Sequence, residues 1–353
     1  MSRQSEQMWA TLLQAGLVQG PAPETPKLES PWFVKVLLAF SGWFAAVFML
    51  GFIAMAFEDI IDSSTFCFIT GGVMIGGAFA ILRRENNEFL EHLALAVSLA
   101  GQALITYAIF DLIGYNDEMA WVGLALLQVL LAMLMPNFVH RVLSSFIAAF
   151  SFSMALTAIG APYVFSSVIM FLASWLWLNE FRYPKYMRGI RAIGYGLVLA
   201  LIQIKGTALF GSDMGMLWAD RQSWVQPWMG EVLAGAVTLY VFWQLLRRRG
   251  QAITGRLAIT ALLGTLLLCA VSMEARGITV GMVIILLGFA GGNRVLLGLG
   301  IMSLLFYISS YYYLLDATLL AKALTLLIVG LVLLTVRWFM LRMMPEDKEA
   351  KHA

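Results

Sequence analysis

Four ionisable side chains stand inside or at the edge of long apolar runs: Lys205, Lys322, Asp111 and Glu231. A Lys, Arg or Asp at the centre of a membrane helix costs about 2.5–3.5 kcal/mol, so such a residue is a functional candidate by default. The ammonium groups of Lys205 and Lys322, with the carboxylates of Asp111, Glu231 and Asp316, could line one polar cavity. There the lysines would hold an anionic group or pair with a carboxylate. The competing reading is snorkelling, in which each lysine stem reaches the headgroups and the carboxylates sit in the interface. Composition and spacing leave both readings open.

The stretch from Gly288 to Lys322 is the densest in distinctive residues. It opens with Gly288-Phe289-Ala290-Gly291-Gly292-Asn293-Arg294, continues through Tyr311-Tyr312-Tyr313, and closes with Asp316 and Lys322. The Gly-Gly-Asn-Arg segment reads as a tight turn, with Asn293 suited to cap the helix that follows. Three consecutive tyrosines point round a helix about 100° apart, so at least one should face protein. Tyrosine also collects at membrane interfaces, which makes an interfacial girdle the plainer role.

Catalytic signatures are missing from the chain. His92, His140 and His352 are expected in loops or the tail and lack metal-ligand spacing. No nucleophile elbow, phosphate-binding glycine loop or dinucleotide fingerprint occurs. The expectation is a protein that is not an enzyme, with no metal and no cofactor. Cys67 and Cys269 lie far apart in apolar stretches and read as buried free thiols rather than a disulfide framework. The small-xxx-small pairs Gly72/Gly76 and Gly277/Gly281 suit close helix packing.

The elements that must position these residues follow from composition. Of 353 residues, 61% are hydrophobic and 12% charged, against about 45–50% and about 25% in soluble domains. That leaves too little polar surface for a water-soluble body, and a net charge of +2 offers no footprint for nucleic acid. The expected fold is all-α, a polytopic transmembrane bundle. Crossing a bilayer core takes roughly 20 apolar residues, and twelve runs approach that length. They cover 32–57, 64–82, 93–112, 119–135, 142–159, 161–178, 192–210, 229–246, 257–273, 277–291, 295–314 and 317–338. The tenth is short enough to be re-entrant. The joins near Gly160 and Glu274 to Arg276 should make tight antiparallel hairpins.

Residues 1–30 form an amphipathic segment, with Met8, Trp9, Leu12 and Leu13 at helical spacing, and a Pro-rich linker. Residues 31–340 form the bundle and 341–353 a charged tail. The polar start does not resemble a signal peptide. Nineteen of the 23 basic residues, all but Lys205, Lys322, Arg221 and Arg276, fall in the termini, in even-numbered breaks or, as Lys35 and Arg337, at the terminal ends of the first and last runs. Basic loops stay cytoplasmic, so both termini should be cytoplasmic. Each half carries an arginine cluster after its second span (Arg83-Arg84, Arg247-Arg248-Arg249). Each also has a similar string opening its fifth, His140-Arg141-Val142-Leu143 and Asn293-Arg294-Val295-Leu296. This spacing suggests a six-plus-six parallel repeat, although arginines recur at cytoplasmic helix ends for topological reasons alone.

The run Gly288 to Lys322, with Gln14-Ala15-Gly16-Leu17-Val18, Pro31-Trp32-Phe33 and Phe89-Leu90-Glu91-His92-Leu93-Ala94-Leu95-Ala96, resembles a bacterial family of multi-pass membrane proteins. That family is known only as a domain of unknown function. The resemblance covers nearly the whole chain, and Gly288, Asn293, Arg294, Tyr311, Tyr312, Tyr313, Asp316 and Lys322 carry its most specific part. It implies an inner-membrane protein encoded beside a partner family named for a Gly-Asp-Tyr-x-x-Leu-x-Tyr motif. It carries no activity or catalytic residue over.

Two functions remain in view. One is a non-catalytic subunit of a small membrane assembly, docking through its amphipathic segment and the Arg182 to Arg191 loop. The other is a secondary transporter of a small, anionic solute, using the polar cavity. Helix continuity discriminates, because transporter sites often use helices broken by Gly or Pro near the midplane. From Pro31 onward every proline lies at a span end or in a loop, while Gly196 and Gly264 stand mid-span.

Overall fold

The computed structural model describes residues 9, 11–15, 32–56, 63–84, 88–115, 117–209, 224–248, 256–274, 277–314 and parts of 318–338. Among these every regular element is helical. In chain order they are α1 (Trp32–Ala56), α2 (Ser64–Arg84), α3 (Glu88–Ile113), α4 (Glu118–Leu134), α5 (Phe138–Ala158) and α6 (Val164–Leu178). After two single 3-10 turns, Glu180–Arg182 and Pro184–Tyr186, come α7 (Met187–Leu209), α8 (Pro227–Arg248), α9 (Arg256–Glu274), α10 (Ile278–Ala290) and α11 (Arg294–Leu314).

These helices match the first eleven predicted runs, with a consistent offset at several starts. α3 begins at Glu88, α5 at Phe138 and α7 at Met187, each a turn ahead of its apolar run. Hydropathy reports only the apolar stretch, whereas backbone hydrogen bonding continues through a polar first turn. Asn137 caps α5 by accepting the His140 N–H at 2.9 Å. His92 and His140 therefore lie in helices, not in the loops expected for them.

Six helices are long and apolar enough to cross a membrane: Ser64–Arg84, Leu90–Ile113, Phe138–Ala158, Pro184–Ala208, Trp228–Arg248 and Arg294–Tyr313. That is half the expected number among the described residues. α4, α6 and α10 are apolar but shorter. α10 has 13 residues, which at 1.5 Å per residue gives about 20 Å, short of a core of about 30 Å. Of the other expected spans, α1 and α9 are described only in part as to side chains and 317–338 only in part altogether. The N-terminal segment is described only around 9–15, where the Ala15 N–H closes a helical turn on the Thr11 carbonyl. The tail at 341–353 lies outside the described residues.

Close packing follows the glycines rather than the shortest connections. α2 lies on α3 where a Cβ at Gly71 would stand 2.6 Å from the Gly101 carbonyl oxygen, and one at Gly101 2.7 Å from that of Gly71. Gly72 and Gly76, the expected pair, have open space beside them. The other expected pair does pack: Cβ atoms at Gly277 and Gly281 would meet the Tyr307 ring at 2.7 Å and Leu304 at 3.0 Å. Gly277 also has φ +94, a left-handed conformation that favours glycine. The hairpin expected at Gly160 is not a tight one, and the join at 275–276 lies outside the described residues. α5 packs chiefly on α4 and α7, and α10 chiefly on α11.

The polarity is inverted relative to a water-soluble protein. Ser98, Gln102, Gln128, His140 and Ser151 are buried. Phe40, Phe44, Phe48 and Phe52 on α1 are at least 61% exposed. Apolar side chains facing outward along whole helices need an apolar surrounding. The six long helices and this inversion fit a membrane protein.

Candidate functional site

α7 and α8 bring Lys205 and Glu231 together. The start of α8 is held by the residues that precede α6 and by α6 itself. The Trp224 N–H donates to the Gly160 carbonyl at 3.2 Å and its indole N–H to the Ile159 carbonyl at 3.1 Å. Ser167 on α6 donates to the Gly230 carbonyl at 2.9 Å. A Cβ on Gly230 would stand 2.7 Å from the Tyr163 carbonyl oxygen, so glycine is what lets α8 settle against the start of α6. The next residue, Glu231, then points at α7.

Lys205 Nζ donates to Glu231 Oε1 at 2.6 Å, with side-chain exposures of 7% and 3%. The second carboxylate oxygen accepts from Ser272 Oγ on α9 at 3.4 Å. Ser272 Oγ lies 3.0 Å from Thr279 Oγ1 and accepts the Thr279 N–H at 3.4 Å. Four helices thus contribute one buried polar cluster. In a low-dielectric interior a charge is tolerated when paired and hydrogen-bonded, and here the ammonium and carboxylate neutralise one another. The Lys205 stem is spent inside the protein, not extended to a headgroup layer, and its charge is already occupied.

The other predicted site residues lie elsewhere. Asp111 accepts a hydrogen bond from Ser64 Oγ at the junction of α2 and α3, and α3 packs on α1, α2 and α4. It is therefore not part of the Lys205 cluster, against the expectation of one shared cavity. Asp316 and Lys322 fall outside the described residues. Gly288 lies in the α10–α11 contact, where a Cβ would stand 2.5 Å from the Leu297 nitrogen. Arg294 opens α11 and is exposed. Tyr311 and Tyr312 are partly buried and Tyr313 is 81% exposed, so two of the three tyrosines meet protein.

Asn293 caps α11, as its type suggested, by accepting the Leu296 N–H at 3.1 Å. Its amide also meets the Tyr195 hydroxyl on α7, which donates to Oδ1 at 3.0 Å and accepts from Nδ2 at 2.7 Å. Asn293→Ala removes both functions. A lost cap alone costs about 1 kcal/mol, so a drop of about 1–2 kcal/mol is expected in thermal or denaturant unfolding. Tyr195→Phe should lose less, because it keeps the cap.

Sequence reading missed a second buried network. His140 Nε2 lies 2.8 Å from Ser98 Oγ and 2.9 Å from Gln102 Nε2, and its Nδ1 lies 3.2 Å from Ser144 Oγ. Gln128 on α4 donates to Gln102 Oε1 at 2.9 Å. Both ring nitrogens of His140 thus have polar partners, Nε2 on α3 and Nδ1 on its own helix. The available signal was polar pairs four apart, Ser98/Gln102 inside an apolar run and His140/Ser144 at the start of another. Ser272, Thr279 and Glu180 left no such signal. Glu180 is 1% exposed and accepts from Arg191 Nε at 3.0 Å. Neither Cys67, which is buried, nor Cys269, which is partly buried, forms a disulfide among the described residues. Among the described residues no three His, Cys, Asp or Glu gather as a metal site.

No curated protein and no solved structure matches the chain. Residues 31–343 match a protein family described as "Domain of unknown function (DUF4401)". Since the match runs through every described helix from α1 to α11, the chain belongs to the DUF4401 family.

Proposed function

We propose that this protein is a multi-pass protein of the bacterial inner membrane that works as a non-catalytic subunit of a small membrane assembly. One observation carries the choice: the Lys205–Glu231 pair is mutually neutralised and sits on two unbroken helices. A carrier of anions needs a cation free to meet its cargo, and carrier sites often interrupt their helices. Lys205 is occupied at 2.6 Å. α7 continues through Gly196, where a Cβ would stand 2.5 Å from the Val142 carbonyl oxygen, so that glycine serves packing against α5. Glu180 is likewise engaged by Arg191. The buried charges fix helices against one another, as befits a scaffold.

The charge alternation of the loops supports cytoplasmic termini and a twelve-span arrangement, with the six-plus-six repeat as its symmetry. The resemblance of the 288–322 block supports a neighbouring-gene membrane protein with the Gly-Asp-Tyr-x-x-Leu-x-Tyr motif as the partner. A transporter of a small solute is the second reading. The hydroxyls of Ser272 and Thr279 beside Glu231 favour it, because they could hold the carboxylate if the ion pair opened.

Tagged protein purified from native membranes in mild detergent should bring down a stoichiometric membrane partner identifiable by mass spectrometry. Recovery alone and monodisperse would overturn the subunit reading. Solute uptake into liposomes containing the pure chain would then test the transporter.

A further inference from the structure

The connection between α6 and α7 alternates aromatic and basic side chains, and it turns all of them outward. Phe181, Tyr183 and Tyr186 are 60%, 45% and 63% exposed, and Arg182, Lys185 and Arg188 are exposed beside them. The Arg182 guanidinium stands 5.9 Å from the Tyr183 ring centroid and Lys185 Nζ 5.8 Å from that of Tyr186. Cations held over ring faces present charge and apolar surface together. The segment is also tied down. Glu180, just before it, is buried and bound to Arg191 at 3.0 Å, and Asn179 donates to the Trp175 carbonyl at 2.8 Å. The one acid next to the patch is thus turned inward, and none of the three exposed cations meets a carboxylate among the described residues.

We infer that residues 181–188 form a docking surface for the phosphate headgroups of anionic phospholipids. This rests on the membrane placement proposed above. The segment runs from just after α6 into the first turn of α7, at the ends of two apolar helices, which puts it at headgroup depth. Aromatic rings are enriched at that depth, and exposed Lys and Arg there are drawn to anionic lipid. Three cations that meet no carboxylate among the described residues complement phosphate. Lipid is favoured over a protein partner by the position of the segment beside the ends of two apolar helices. The exposed rings gain the interfacial layer, which the apolar bodies and polar tips of Tyr183 and Tyr186 suit.

The test uses the full chain in neutral detergent, with bound lipid read by native mass spectrometry. Phosphatidylglycerol should be retained in preference to phosphatidylcholine, and R182Q/K185Q/R188Q should lower its affinity about 100-fold, at roughly fivefold per cation. R182K/R188K, which keeps the charge, should retain most of it, and an unchanged gel-filtration profile shows that each variant is folded. Equal retention of the two lipids, or an unaffected triple variant, overturns the site. So does inorganic phosphate at millimolar concentration displacing the lipid completely, which would make the site one for free phosphate. A co-purifying protein lost from the triple variant, with lipid preference intact, would reassign the surface to a protein. Alkaline extraction of membranes tests the placement separately. Release of the chain overturns the membrane reading, whereas retention without lipid preference overturns only the headgroup site.

Discussion

Glu231→Leu should destabilise the detergent-solubilised protein by about 3–5 kcal/mol, the range for removing one partner of a buried ion pair. The loss comes from the charge left behind more than from the bond removed. Lys205 would keep an ammonium at 6% exposure with its carboxylate gone, and Ser272 would lose its acceptor. Lys205→Met should be costly for the same reason, with the Glu231 carboxylate stranded. The double variant Lys205→Met/Glu231→Leu should recover most of the loss, because two apolar side chains of similar volume need no partner. Thermal unfolding of the two single variants and the double variant, run as a cycle, reads this directly. Equal and additive losses would mean that the two groups do not interact. A stable double variant that still assembles with its partner would identify the pair as a helix lock. One that is stable yet inactive in a solute-uptake assay would move the balance to the transporter.

Gly300→Ala should cost about 1–3 kcal/mol while Gly298→Ala, two residues away on the same helix, should be close to neutral. A Cβ at Gly300 would stand 2.7 Å from the Ile285 nitrogen, whereas at Gly298 nothing lies within 4 Å. Overpacking a filled contact forces shifts of about that cost, and here the obstacle is backbone, which cannot rotate away. Gly288→Ala should behave like Gly300→Ala, since its Cβ would meet the Leu297 nitrogen at 2.5 Å. Together these positions state that α10 and α11 touch along their backbones. Unfolding midpoints that rank Gly298→Ala as the worst of the three would contradict that contact.

How much of this was legible beforehand depends on which force decides each feature. The helices were legible because apolar runs long enough to approach a bilayer thickness must hydrogen-bond internally, and α1 to α11 fall where the hydropathy placed them. Asn293 as a cap was legible because capping is local and needs only the side chain and the next turn. The ends of α3, α5 and α7 were not, since hydropathy stops where polarity begins while the helix goes on. Nor were the glycine contacts, where Gly71 packs and the neighbouring Gly72 does not. Rotating a helix by about 100° per residue moves a glycine from contact to open space, and nothing in the local sequence sets that rotation.

The candidate site divides the same way. By itself the sequence determined that Lys205 and Glu231 are out of place in apolar helices, because the cost of burying charge depends on residue type and surroundings alone. Only the tertiary structure decided that they meet each other, that Asp111 bonds to Ser64 instead, and that Ser272 and Thr279 complete the cluster. The bonded pairs are 7 to 47 positions apart along the chain. Their pairing is set by how α7 to α10 rotate and slide against one another, and that is fixed by close contacts summed over the whole bundle.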